Sequence, residues 1–112
     1  MTNVFEELAG LDKLLHEPAR LSIMSALAAC QSADFLALQR LTGMTSGNLS
    51  IHLSRLVEAD LVALEKQFVD KRPNTQVQIT EKGRRAIERH WQQLESLRLD
   101  AQQWKPGQPG SG

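Results

Sequence analysis

The feature that most narrows what this chain can fold into is a pair of short apolar-periodic segments broken at Gly43. Before the break, Phe35, Leu38 and Leu41 point inward on a short helix. After it, Leu49, Leu53 and Leu56 recur at i, i+4 and i+7. Glycine readily takes the left-handed conformation that ends a helix. Met44 is an apolar turn residue, and Thr45 is a side chain of the kind that caps the next helix. Two helices joined by roughly three residues that include glycine form a helix-turn-helix.

The flanking segments extend this unit on both sides. Val4, Leu8, Leu11 and Leu15 make one amphipathic stripe, so a first helix is expected there. Pro18 suits the first turn of a second helix. That helix is apolar through Leu21, Ile23, Met24, Leu27 and Ala28, and it should form the centre of the core. Ser32 or Asp34 can cap the short helix that precedes the turn. After Asp60 the period falls to two, with Val62, Leu64 and Phe68 on one strand face, and Val77 and Ile79 on another against Gln76 and Gln78. Between them Asp70-Lys71-Arg72-Pro73-Asn74 is a polar turn sequence, and Pro73 should stiffen it by fixing φ. Thr80 can cap a long last helix carrying Ile87, Trp91 and Leu94. The expected fold is mainly α with a small β-hairpin wing (α+β): a winged helix-turn-helix with N- and C-terminal flanking helices. It should occupy residues 1–103 as one domain, followed by a polar, disordered tail over 104–112.

With 112 residues and 41% apolar side chains the chain supports one modest core. No apolar run is long enough to span a membrane, and the N-terminus lacks the pattern of a secretion signal. The single cysteine, Cys30, cannot form an internal disulfide, which points to a reducing cytoplasm. In its apolar helix it should be inert packing. Net charge is zero, yet the distribution is uneven. Residues 66–85 carry Lys66, Lys71, Arg72, Lys82, Arg84 and Arg85 against Asp70 and Glu81, so six positive less two negative charges leave +4. Residues 1–34 carry Glu6, Glu7, Asp12, Glu17 and Asp34 against Lys13 and Arg20, leaving −3.

On a helical wheel of residues 45–59, Leu49, Leu53, Leu56 and Val57 face the core. The opposite side carries Gly47, Asn48, Ile51, Ser54, Arg55 and Glu58, with His52 on the flank and Ser46 in the first turn. Small residues near the N-terminus permit close approach to a major groove, and Asn and Arg side chains can read base edges bidentately. Ser46, Asn48, Ile51 and Arg55 are the expected groove contacts. His52 is expected at a phosphate or the backbone, with Thr45 and Gly47 at the helix start completing the surface. Lys71 and Arg72 at the wing tip suit the negative potential of a minor groove. The apolar residues Val4, Leu8, Leu11, Leu15, Trp91, Leu94 and Leu97 exceed what one small core needs, so a homodimer through the first and last helices is expected. His16 and His90 lack a third ligand at suitable spacing, so no metal site is expected, and Trp104 should pack loosely.

The motifs HEPARLSIMSAL (16–27), TSGNLSIHLSRLVEADLV (45–62) and KRPNTQVQITEKGR (71–84) resemble winged-helix regulators of the ArsR/MarR type, especially the small stand-alone bacterial branch. The resemblance spans Leu11 to Leu97. It implies double-stranded DNA as partner, recognition by the Ser46–Arg55 helix, a wing at Asp70–Asn74, and a homodimer on a palindromic operator. The paired-cysteine motif of metal-sensing relatives is absent, because Cys30 stands alone. Two other classes compete with this. An enzyme is disfavoured, since no catalytic motif or carboxylate pair is evident and no cofactor is implied. A winged helix that docks on protein through the Ile51 face would not need a basic wing tip.

Overall fold

The computed structural model describes residues 3–107. Its elements are α1 (Val4–Ala9), α2 (Pro18–Cys30), β1 (Ser32–Asp34), α3 (Phe35–Thr42), α4 (Ser46–Glu58), β2 (Val62–Val69), β3 (Arg72–Ile79) and α5 (Glu81–Gln103). Every helix begins where a side-chain oxygen can accept from free N–H groups of its first turn. The caps are Asn3, Glu17, Asp34, Thr45 and Thr80. Pro18, with no N–H to lose, opens α2. Gly43 closes α3 at φ +71°, the left-handed conformation expected of it. The three strands are antiparallel in the order β1-β3-β2. The architecture is the winged helix-turn-helix anticipated from the periodicity.

The main core gathers Leu15 and one face of each of α2, α3, α4, β2, β3 and α5. Ile23, Met24, Leu27, Leu38, Leu49, Leu56, Val77 and Ile87 are fully enclosed there. A second, smaller core joins Val4 and Leu11 to Leu97, with Leu8, Leu94, Ala101 and Trp104 against it. α1, the turn after it, the far half of α5 and Trp104 just beyond α5 build it.

Several expectations are corrected. The first helix does not run from Val4 to Leu15. It stops at Ala9, Gly10 caps it, and the Asp12 side chain accepts from the Leu14 N–H to hold a turn. Leu11 and Leu15 are nevertheless buried. Leu41 does not face inward but is 68% exposed. Phe35, Leu38 and Thr42 share the inner stripe of α3, and Leu41 sits roughly a quarter-turn away from it. Val57 is likewise exposed, since Leu49, Leu53 and Leu56 already fill the contact face of α4. Cys30 is exposed rather than packed. It is the last residue of α2, and at Gln31 (φ +69°) the chain turns away into β1. Strand β1, three residues long, was not anticipated. Ala33 lies opposite Val77, which makes β3 the central strand. Trp104 is half-buried and stacks edge-to-face on Phe5, with centroids 5.1 Å apart. The anticipated tail falls mainly on residues 108–112, outside the described part.

Candidate nucleic-acid interface

The sequence dictates the orientation of α4. Thr45 Oγ1 accepts from the Asn48 N–H at 3.2 Å, and the Thr45 carbonyl accepts from Leu49 N–H at 2.9 Å. Leu49, Leu53 and Leu56 are then driven into the core at 0%, 2% and 0% exposure. Burying each such side chain contributes about 2 kcal/mol, which fixes the rotation of the helix about its axis. Everything opposite is turned outward: Ser46, Gly47, Asn48, Ile51, Ser54 and Arg55 are all exposed, as is the cap Thr45. Ile51 is an isoleucine left 57% exposed on an otherwise polar face. A Cβ added at Gly47 would meet nothing within 4 Å, so nothing inside the chain demands glycine there. Arg55 makes no ion pair or side-chain hydrogen bond among the described residues.

His52 stands apart from this face. It is partly buried, with Nδ1 3.2 Å from Nη1 of Arg20 and 3.8 Å from Oε2 of Glu17. Arg20 also donates from Nε to the Leu14 carbonyl and from Nη2 to the Lys13 carbonyl. Glu17 caps α2 by accepting from the Arg20 N–H at 2.9 Å. Burial opposes ionisation of Glu17. The Arg20 and Ala19 N–H groups, with the positive character of His52 and Arg20, outweigh it and hold the carboxyl below its ordinary value. Glu17 and Arg20 thus join the flank of the exposed helix to the start of α2. Sequence reasoning missed both as partners of His52. The signal available locally was Glu17 directly before Pro18, the place of an N-cap.

The wing is a hairpin closed by two residues, Asp70 and Lys71, at φ +52° and +64°. Positive φ at both positions is the turn whose twist matches the flanking strands. The expected five-residue loop is therefore shorter, and Arg72, Pro73 and Asn74 belong to β3. Pro73 does not stiffen a loop. It lies opposite Phe68. Since the Val69–Arg72 pair flanks the turn, Phe68–Pro73 is the pair whose N–H groups point away from the partner strand. β1 reaches only Gln76 to Gln78, so no ladder bond is lost by proline. Ala63 through Pro73 are all exposed, and the hairpin projects from the body with Lys66, Lys71, Arg72 and a 77% exposed Phe68.

Of the apolar residues expected at a dimer surface, Val4, Leu11, Leu15 and Leu97 are buried within the chain, and Leu8 and Leu94 partly so. Trp91 alone among them is exposed, at 48%. His16 and His90, far apart in the sequence, meet at 3.3 Å, and His90 is 3% exposed. Among the described residues no group of three His, Cys, Asp or Glu side chains could hold a metal ion, and no helix is long and apolar enough to cross a membrane.

Known proteins share this arrangement. The family model described as a winged helix DNA-binding domain matches residues 19–98. An uncharacterized protein of Methanocaldococcus jannaschii is 31% identical over 78 residues, covering 70% of this chain and 85% of its own. The structure of a transcriptional regulator homologue from Pyrococcus horikoshii OT3 is similar at a TM-score of 0.79 and 31% identity, over 90% of this chain and 98% of that one. A mutant MarR from E. coli, in complex with operator DNA, shares the fold at a TM-score of 0.68 and 21% identity, over 92% and 72% of the two chains. The exposed face of α4 and the projecting hairpin are thus the parts of a known architecture, and the chain belongs to the family of winged helix DNA-binding domains.

Proposed function

We propose that the chain binds double-stranded DNA sequence-specifically, as a homodimeric transcriptional regulator. The observation that carries this is the outward face of α4, where Ser46, Gly47, Asn48, Ile51 and Arg55 are exposed while three leucines anchor the opposite side. In this proposal α4 enters the major groove. Arg55 and Asn48 read base edges, Ile51 meets a thymine methyl, and the free N–H groups at Ser46 and Gly47 receive a phosphate. Lys71 and Arg72 contact the backbone or minor groove from the wing over 70–75. His52, engaged by Arg20, orients α4 rather than reaching a phosphate.

Size and shape support dimerisation. One such unit makes few contacts, and a two-fold pair doubles them on a palindromic site. The Cα radius of gyration is 17.4 Å, against about 13 Å for a compact chain of this length. The 23-residue α5 and the projecting hairpin both extend the molecule. Trp91 and Leu99, two turns apart on α5, and Phe5 on α1, all about half exposed, offer apolar surface to a second copy.

Selection of bound sequences from a random DNA pool tests the proposal, and an inverted repeat is the expected product. Affinity for the recovered site should fall with salt at a log–log slope near −0.9 for each neutralised phosphate. Arg55→Ala should relax sequence preference, and Arg72→Ala should weaken all sequences evenly. No enriched sequence together with salt-independent association to a protein partner would favour protein docking instead.

A further inference from the structure

The chain between α1 and α2 touches both the long terminal helix and α4, and it does so through histidines. His16 Nδ1 lies 3.3 Å from His90 Nε2 on α5. One residue on, Glu17 faces His52 of α4 at 3.8 Å. Arg20, 11% exposed, lies against His52 and grips the Lys13 and Leu14 carbonyls. A displacement of this segment from α5 therefore displaces the groups that orient α4.

The contact with α5 depends on protonation. With one or no proton beyond neutrality, one ring donates N–H to the lone pair of the other. With two, both nitrogens are donors in cationic rings at hydrogen-bond distance and the bond cannot exist. Among the described residues, two titratable groups face the buried His90 ring: His16 and Asp12, both from the segment between the helices. The one charged side chain of α2 is Arg20, and its guanidinium is committed to the 13–14 carbonyls and His52. From α5 itself the neighbour is the Trp91 ring at 6.4 Å. Asp12 favours a charge on His90, but burial and His16 disfavour it more. No carboxylate hydrogen-bonds either ring among the described residues.

We infer that residues 12–20 form an acid-sensitive link, in which double protonation of the His16–His90 pair releases α5 from the start of α2 and loosens α4 through Glu17, Arg20 and His52. The sign follows from His90. Its value in the folded chain is lowered, first by burial and then by His16. The unfolded chain therefore takes up the proton first. The stability the neutral ring contributes is present above about pH 6.5 and is lost as pH falls through the folded value.

The consequence for DNA rests on the proposed function and opposes the ordinary effect. A histidine merely near phosphate strengthens binding on acidification, whereas this link weakens it. Between pH 7.5 and 5.5 the affinity of the wild type should fall, by at most roughly tenfold for each pH unit over which one additional proton is taken up. Backbone amide shifts of α4, followed by NMR without DNA, should titrate together with the His90 ring protons. His16→Gln, at the exposed member, keeps a hydrogen-bonding partner for His90 and should flatten both responses. His90→Gln should do the same if it folds. Repeating the titration in a chelator should change nothing, and a response that disappears there would overturn the link in favour of a bound metal. An α4 titration unchanged in His16→Gln would also overturn it. Absence of DNA binding at every pH would refute the functional proposal while the amide titration still judged the link.

Discussion

The chain buries its apolar residues in two unequal places. The main core draws on Leu15 and six elements, encloses twelve residues and contains the anchors of α4. The outer core encloses three, from a six-residue α1, the turn after it and the far half of α5. A helix of six residues has almost no stability of its own and depends on what it packs against. The contrast separates two tasks. The body anchors α4 through its buried leucines, whereas the α1–α5 arm is held by a handful of side chains and gains most from a second copy.

Gly83 is the hardest test of this division, because it seats the first turn of α5 on the body. A Cβ there would fall 2.0 Å from the Leu61 carbonyl oxygen and 2.9 Å from its carbon. Backbone cannot yield as a side-chain end can. Gly83→Ala should therefore cost about 5 kcal/mol, at the exceptional end of single substitutions, and urea unfolding should show body and arm lost together. A loss below 1 kcal/mol would mean that α5 is free to slide on β2.

Within the body, Leu56→Ala removes a fully buried side chain beneath α4. The expected cost is about 3 kcal/mol from lost burial and the remaining cavity. It should weaken one cooperative transition without splitting it. In the arm, Leu97→Ala should cost about 2 kcal/mol, because the smaller core collapses more readily around the gap. Hydrogen exchange should quicken in α1 and the far half of α5 and stay unchanged in α4. Equal acceleration in α4 would erase the distinction between the two regions.

The body was the more legible of the two in the sequence, for a physical reason. Gly43, Thr45 and the leucines at 49, 53 and 56 act within two or three turns of one another, so their consequence is local. Ser46, Asn48, Ile51 and Arg55 are exposed simply because they lie opposite those leucines. Contacts that join distant segments left no such trace. His16 meets His90 across 74 positions and Arg20 meets His52 across 32. Nothing in the periodicity of either partner announces the other. The stripe from Val4 to Leu15 was legible as apolar but not as a broken helix, since Leu11 and Leu15 are buried whether the backbone is helical or turned. β1 is three residues long and exists only because β3 lies beside it. The α5 surface is the least decided by local pattern, since the same leucines can cover their own chain or a second copy.

The hairpin lies outside both cores, and its tip sharpens the comparison by resting on backbone conformation instead of burial. Beyond Val62, every residue of β2 is exposed, so little packing holds the turn. Lys71 adopts φ +64° without the freedom of glycine. Lys71→Gly removes that strain, which exceeds the entropy glycine adds to the unfolded chain at a position of positive φ. The net gain should be about 0.5 kcal/mol, read as a small rise in melting temperature. The same substitution deletes a cation from the proposed DNA contact, so affinity for all sequences should fall as the melting temperature rises. Stability and binding moving in opposite directions separates the charge of Lys71 from its role in shaping the turn. A fall in both would mean that the side chain holds the wing together.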